Sequence, residues 1–234
     1  MTKSRLRPYG LTPLLLLLLA LAACGRWGGT ADSRTRTAVS GRLEAGLRVL
    51  TFDPVATDQR FTVYRGDYVR PELSTGGAFA LEIPALEVSR SFPGGPDEQP
   101  YFKVPEAGSF EFRLGAASGV IEAIEFSAAQ YREADAREAS DLIASMNPLI
   151  LDVRTPREFA AGHLADAVLI PVQELQRRLG ELSSRRQDPV LVYCATGNRS
   201  TVAAKLLVDA GFVQVVNMRR GIAEWNSNGF PTVK

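Results

Sequence analysis

The sequence predicts two domains, an all-β sandwich over residues 38–128 and an α/β domain over 131–234 with a parallel sheet flanked by helices. Three observations lead there. Between 38 and 128, apolar residues alternate with polar ones in short runs broken by glycine and proline, the period of half-buried strands. After about 131, short apolar runs alternate with segments of helical periodicity, the pattern of strand–helix–strand units that pair as a parallel sheet. The balance of 45% hydrophobic and 23% charged residues over 234 positions fits ordinary globular material with room for one or two domains. A net charge of +1 gives no electrostatic footprint for nucleic acid or a strongly acidic partner.

The chain begins with Lys3, Arg5 and Arg7, then an apolar run from Leu14 to Ala23. That run is shorter than the ~20 residues a spanning helix needs, so residues 1–23 read as a signal peptide. Its end, Leu21-Ala22-Ala23-Cys24, resembles the bacterial lipobox. The resemblance implies cleavage before Cys24, lipidation of Cys24, and a protein anchored by acyl chains in the cell envelope. Gly25 in the next position is similar to the outer-membrane sorting pattern of enteric-type bacteria. Cleavage after Ala20-Leu21-Ala22, or retention as an uncleaved anchor, are the competing readings. Residues 24–37 are mainly Gly, Ser, Thr, Arg and Asp with one Trp27, which bury little and read as a flexible tether.

Within 38–128 the alternating runs are Phe61–Val63, Phe79-Leu81-Ile83, Phe110-Phe112-Leu114 and Val120 to Phe126. They are separated by Gly66-Asp67, Gly76-Gly77, Pro93-Gly94-Gly95-Pro96, Gly108 and a turn spanning Gly115 to Gly119. The final hairpin, Glu106–Gly115 into Gly119–Ile124, resembles the C-terminal hairpin of a cupredoxin; an immunoglobulin-like sandwich is the alternative. A blue-copper site needs two imidazoles and a thiolate. Residues 38–128 contain neither His nor Cys, so this is expected to be a cupredoxin-like sandwich without copper ligands. Its role is left among spacing, partner docking and covering a neighbouring site.

In the second half, Asp135-x-x-Glu138 is a capping pair opening a helix with Ala139, Leu142, Ile143 and Met146 on its apolar face, closed by Asn147-Pro148. Leu149–Leu151 and Val168–Ile170 are short strands, Val172–Leu182 an amphipathic helix, Val190–Tyr193 a buried strand, and Thr201–Ala210 a helix. Cys194 falls where that strand meets that helix. Backbone N–H groups of the loop and first helical turn lack intrahelical partners there, and the helix dipole adds partial positive charge. Free cysteine titrates near ~8.5, and a helix N-terminus with an arginine such as Arg199 lowers that value. Only two cysteines are present. If lipid consumes Cys24, Cys194 stays unpaired in an oxidising compartment, so it is expected to be used as a nucleophile.

At Cys194-Ala195-Thr196-Gly197-Asn198-Arg199 the chain resembles a rhodanese-type sulfurtransferase, a family with a six-residue Cys-x-x-Gly-x-Arg loop. Asp152-Val153-Arg154 through Glu158-Phe159 and Gly162-His163-Leu164 resemble upstream signatures of that family. Gly221 to Trp225 followed by Gly229-Phe230-Pro231 is similar to its closing pattern. The resemblance covers about Tyr131 to Lys234. It implies a Cys194 persulfide formed from a sulfane donor such as thiosulfate or polysulfide and passed to a thiol or to cyanide. No cofactor or metal is implied. Cys194 and Arg199 are the expected catalytic residues, with Ala195, Thr196, Gly197 and Asn198 forming the persulfide loop.

Asp152 and Arg154 are expected to brace the loop as an ion pair or to touch substrate, with the brace preferred. His163, the only histidine, reads as structural, Arg157 as a candidate for drawing anions to the mouth, and Trp225 as core. Two other classes compete. Phosphatases and arsenate reductases with a similar loop carry one more residue between Cys and Arg, and here only Ala195 to Asn198 intervene. A non-catalytic binding module is the third reading.

Overall fold

The computed structural model describes residues 39–95 and 100–234. The predicted signal peptide, tether and lipidation position Cys24 lie outside them.

Among the described residues the first half holds nine strands: β1 (Arg42–Glu44), β2 (Leu47–Phe52), β3 (Gln59–Tyr64), β4 (Tyr68–Leu73), β5 (Phe79–Ile83), β6 (Val88–Phe92), β7 (Phe102–Lys103), β8 (Gly108–Leu114) and β9 (Ala117–Ile124). They form a four-stranded sheet, β1-β2-β4-β7, and a five-stranded sheet, β3-β9-β8-β5-β6. Both are mixed, because β2 pairs with β4 and β3 with β9 in parallel while the remaining ladders are antiparallel. One core joins the sheets. Leu50, Phe52, Val69 and Phe102 from the first meet Val63, Leu81, Ile83, Phe112, Leu114 and Ile121 from the second, with Phe52 and Phe112 edge-to-face at 5.0 Å. The alternation in β8 follows from this: Phe112 and Leu114 are buried, while Glu111 and Arg113 face solvent.

The last hairpin differs from expectation. Leu114 pairs with Ala117, so the turn is only Gly115-Ala116, and Ala117 to Gly119 belong to β9. Gly115 has φ +61°, which suits the first central position of a two-residue hairpin turn. The β1–β2 turn is equally short: Ala45 and Gly46 both have positive φ (+46° and +76°), and Glu44 pairs with Leu47. The sequence reading singled out no strand at β1, β2, β4, β6 or β7.

The second half holds β10 (Tyr131–Ala134), α1 (Ala136–Met146), β11 (Leu149–Asp152), α2 (Pro156–Ala161), β12 (Val168–Leu169), α3 (Val172–Arg178), β13 (Val190–Tyr193), α4 (Asn198–Asp209), β14 (Val215–Met218) and α5 (Gly221–Ser227). The sheet order is β10-β14-β13-β11-β12, every ladder parallel. Strand side chains alternate between two cores. Ile150, Leu191, Tyr193, Val216 and Met218 meet α1 and α5. Leu149, Leu151, Val190, Val192 and Val215 meet α3 and α4. Helices thus cover both faces, as parallel strands buried on both sides require.

Asp135 and Glu138 form the expected reciprocal capping box, but Met146 is 48% exposed and is not core. The helix expected over Val172–Leu182 ends at Arg178 and continues as a 3-10 segment, Leu179–Arg185. Helix α4 begins at Asn198, three residues before the predicted start, because Gly197 takes the left-handed conformation (φ +102°) that ends the loop.

The two halves share a core. Tyr64 from β3 and Phe126 beyond β9, edge-to-face at 5.3 Å, are buried in the cluster that contains Val202, Ala203 and Leu206 of α4. Gly66 lies so close to α4 that a Cβ there would stand 3.1 Å from the Asn198 carbonyl oxygen and 3.2 Å from Thr201 Cβ. Arg65 donates to Glu125 at 2.7 Å and pairs with Glu133 of β10. Residues from Ala38 onward accordingly form one compact unit. Truncating Phe126 to Ala is expected to cost about 3–5 kcal/mol, the usual penalty for emptying a buried aromatic site. In a chain begun at residue 38, Trp225 fluorescence and far-UV circular dichroism should show one coincident denaturant transition, shifted to lower denaturant in the variant.

Candidate active site

Cys194 follows directly on β13, at the carboxyl edge of the sheet where open α/β folds gather their sites. It is 1% exposed and is the free cysteine of the described residues. Its Sγ accepts a hydrogen bond from the Gly197 N–H at 3.1 Å. Helix α4 starts immediately after Gly197 with no side chain capping it, so its first-turn N–H groups are left for the sulfur side of the loop. The Gly197 carbonyl is instead taken up by the Ser200 and Thr201 hydroxyls at 2.8 and 3.0 Å and by the Thr201 N–H at 3.1 Å.

The loop is held from behind by the turn between β14 and α5. Ile222 N–H donates to the Cys194 carbonyl at 2.9 Å and Ala223 N–H to the Ala195 carbonyl at 3.1 Å. In a planar trans peptide the N–H points opposite to the C=O. Fixing those two carbonyls toward α5 therefore turns the N–H groups of Ala195 and Thr196 away from it. Two glycines make the approach possible: a Cβ on Gly197 would fall on the Arg219 carbonyl oxygen, and one on Gly221 would fall on the Cys194 carbonyl oxygen. Thr196 is exposed and Ala195 half-buried. Asn198 is 7% exposed, and its Nδ2 has no hydrogen-bond partner among the described residues.

Arg199, in the first turn of α4, makes a two-pronged pair with Glu158 of α2: Nη1 to Oε2 at 2.8 Å and Nη2 to Oε1 at 2.6 Å. The same Glu158 caps α2 reciprocally with Thr155. The Arg199 hydrogen bonds, followed by those from the Thr155 N–H and hydroxyl, hold the Glu158 carboxyl at about 2. Sequence reasoning named Glu158 only as part of a motif; its role in engaging Arg199 depends on α2 folding back beside α4, which no local pattern reveals.

Asp152 and Arg154 form a buried brace. Arg154 Nε and Nη2 donate to both Asp152 oxygens at 2.6–3.0 Å, and Nη2 also donates to the Gly162 carbonyl at 2.8 Å. The guanidinium lies over the Tyr193 ring, 5.5 Å from its centroid, and the Tyr193 hydroxyl accepts from the Leu164 N–H at 3.1 Å. His163 stacks on Phe159 at 3.6 Å, and its backbone exchanges hydrogen bonds with Val233. Trp225 is core, its Nε1 donating to the Pro231 carbonyl at 2.9 Å. Arg157 is exposed on α2.

One wall of the site comes from the first half of the chain. A cavity of about 220 Å3 beside the loop is lined by Gly46, Leu47, Tyr68 and Tyr101 on one side and Thr155, Val172, Gln173 and Arg199 on the other. Burial raises the Tyr68 hydroxyl above its ordinary value, with the Arg199 charge opposing. None of these first-half residues carries a sequence signal for a site.

A five-stranded parallel sheet with helices on both faces and a cysteine loop at its carboxyl edge defines the class, and comparison with known proteins defines the family. The Rhodanese-like domain family matches residues 135–228. A sulfurtransferase of Allochromatium vinosum is 35% identical over 102 residues, 43% of this chain and 94% of that protein. The chloroplastic thiosulfate sulfurtransferase 16 of Arabidopsis thaliana is 36% identical over 92 residues, 35% of this chain and 77% of its own length. A crystal structure of a rhodanese-related protein from Thermoplasma volcanium is 34% identical, spanning 44% of this chain and 98% of that one, with a TM-score of 0.39. The chain belongs to the rhodanese-like family.

The Glu158 pair makes the site acid-sensitive in a defined window. A carboxyl depressed from 4.5 to about 2 contributes stability that is complete above the unfolded value and is lost as pH falls through the folded one. With a third of the side chain exposed, screening reduces that contribution to about 1–2 kcal/mol. Glu158→Gln should therefore lower Tm at pH 7 and lose less further stability than wild type between pH 4.5 and 2, read by thermal melts across that range.

Proposed function

We propose that the chain is a sulfurtransferase that carries a sulfane sulfur as a Cys194 persulfide. The observation that carries this reading is the Cys194 loop itself: a buried thiol accepting the Gly197 N–H, with uncapped α4 amides beyond it. The Cys194 thiolate attacks the outer sulfur of thiosulfate or polysulfide. The donor S–S bond breaks, sulfite or the shortened polysulfide leaves with the electron pair, and a Cys194 S–S bond forms. Loop amides stabilise the negative terminal sulfur as an anion nest does. A thiol in the cell, or cyanide in an assay, then attacks that sulfur and restores the thiolate.

Ala195, Thr196, Gly197 and Asn198 supply the loop backbone. Asp152 and Arg154 act as the brace beneath it. Arg199 contributes positive field while it is oriented by Glu158. A loop of four intervening residues, with its guanidinium already engaged, argues against the tetrahedral oxyanion chemistry of a phosphatase or arsenate reductase. In this reading no metal or other cofactor takes part.

The test is the intact mass of the chain begun after Cys24, following incubation with thiosulfate or polysulfide. One added sulfur, removed by a reducing thiol and absent from Cys194→Ser, is the expected result. No adduct from any donor on folded protein would leave a binding module.

Residues 38–128 are, in the same reading, a cupredoxin-like domain without copper ligands. Residues 1–23 are a lipoprotein signal peptide, and Cys24 is the lipidated anchor of an envelope protein. Metabolic labelling with a tagged fatty acid should mark the full chain in a bacterial host. Cys24→Ser should abolish both the label and membrane fractionation; labelling that survives the substitution would overturn the anchor.

A further inference from the structure

Among the described residues the first half of the chain brings neither Cys nor His to the site, yet it lines one side of it. The β1–β2 turn reaches the second half at Gly46, where a Cβ would stand 3.1 Å from the Val172 carbonyl oxygen. Leu47 continues that wall, and Tyr68, at the start of β4, and Tyr101, just before β7, complete it. The two tyrosine rings pack edge-to-face at 5.3 Å, and Arg90 Nη2 holds the Tyr101 carbonyl at 3.0 Å. Both rings also line a larger depression of about 550 Å3 on the outer side, bordered by Leu86, Val88 and Lys103. The tyrosine pair is thus the partition between an open surface hollow and the small cavity that contains Arg199.

The size of that cavity restricts what can enter. At about 220 Å3 it lies below the ~300–1,000 Å3 of sites that take drug-sized ligands; Tyr68 stands within electrostatic reach of both Arg199 and Cys194, and Cys194 is 1% exposed. A thiosulfate ion or a single-amino-acid thiol matches such a space, whereas a cysteine on the surface of a folded protein must bring its own backbone past Tyr68 and Tyr101. The one charged side chain lining it, Arg199, is paired with Glu158, so entry is decided by fit more than by long-range charge.

We propose that the N-terminal β domain is a roof over the Cys194 loop, with Leu47, Tyr68 and Tyr101 as specificity-determining residues that admit small sulfane donors and low-molecular-weight thiols and exclude protein thiols. This rests on the sulfurtransferase reading for the identity of the reagents. The roof itself is tested without sulfur chemistry.

The experiment measures Cys194 alkylation, in the chain begun at residue 38, by iodoacetamide and by a maleimide bearing a polyethylene glycol chain. The large-to-small rate ratio is compared with that of the same protein unfolded in denaturant. The folded protein should show a ratio lower by at least roughly tenfold, the factor that even a methylene-sized misfit in a pocket produces. Tyr68→Ala and Tyr101→Ala should each raise it. Gln173→Trp, which adds bulk to an exposed position on the opposite wall, should lower it further, a direction that unfolding cannot mimic.

The same order should hold for discharge of the loaded persulfide to cysteine, to glutathione and to a folded protein with one exposed cysteine. Equal ratios in folded and unfolded wild type, or variants that leave the ratio where it was, would overturn the roof. A ratio that responds as expected in protein that takes up no sulfur from any donor would keep the roof and overturn the sulfurtransferase reading instead.

Discussion

The close approach of the Cys194 loop to the turn between β14 and α5 is the constraint on which the site depends. Two carbonyls of the loop are bound by the first-turn amides of α5, so one helix N-terminus is spent on orienting the loop while the other, that of α4, remains uncapped on the sulfur side. The arrangement needs the backbones to meet without side chains between them, and Gly197 and Gly221 provide that. Both also have positive φ, +102° and +59°, which a residue with a Cβ adopts only at a cost. Sterics and dihedral preference therefore select glycine independently at both positions.

Arg199 acts within that frame differently from a free cation. Its guanidinium is held in two hydrogen bonds by a carboxylate that also caps α2, so the ion pair and the helix start stabilise each other. Any attraction of the loop for an anion then rests mainly on backbone dipoles, which are fixed in advance and need no reorganisation. The Asp152–Arg154 pair has a different role. With Asp152 0% and Arg154 5% exposed, it ties the end of β11 to the Gly162 carbonyl. Removing one partner would leave a buried uncompensated charge, which is far more costly than the pair is stabilising.

How much of this was legible in the sequence varied with the range of the interaction. Strands buried on both faces read directly as apolar runs, so β11 and β13 were found within a residue. The capping box at Asp135 and Glu138 is a local hydrogen-bond pattern and was equally visible. The start of α4 was missed because Asn198 and Ser200 look like loop residues, and only the left-handed Gly197 with its fully bonded carbonyl lets the helix begin there. The hairpin at Gly115-Ala116 was read too long for a related reason: Gly119 resembles a turn residue, but it sits in β9 where a Cβ would meet the Phe112 ring. Nothing in residues 38–128 announced that Tyr68 would stand beside Arg199, because that contact is set by the packing of two halves.

That packing also bears on why the β domain is fused to this site. Tyr64 and Phe126 enter the core that supports α4, and Gly66 lies against the Asn198 carbonyl and Thr201. The buried pair of Arg48 and Asp67 fixes the segment between them: Asp67 also accepts the Tyr64 N–H at 3.0 Å, and Arg48 donates to the Ser40 carbonyl at 3.1 Å. Burial raises the Asp67 carboxyl above its usual range while Arg48 opposes that rise, so removing either partner would leave the other buried and uncompensated. The turn carrying Gly66, which leads into the strand beginning at Tyr68, is therefore packed against α4. A tyrosine wall on a mobile linker could not restrict access to a thiol, because it would open as often as it closed. Here Tyr64, which enters the shared core, stands four residues before Tyr68, and Gly66 between them lies against α4, so a loss of that core packing is expected to loosen the tyrosine wall beside Arg199 as well.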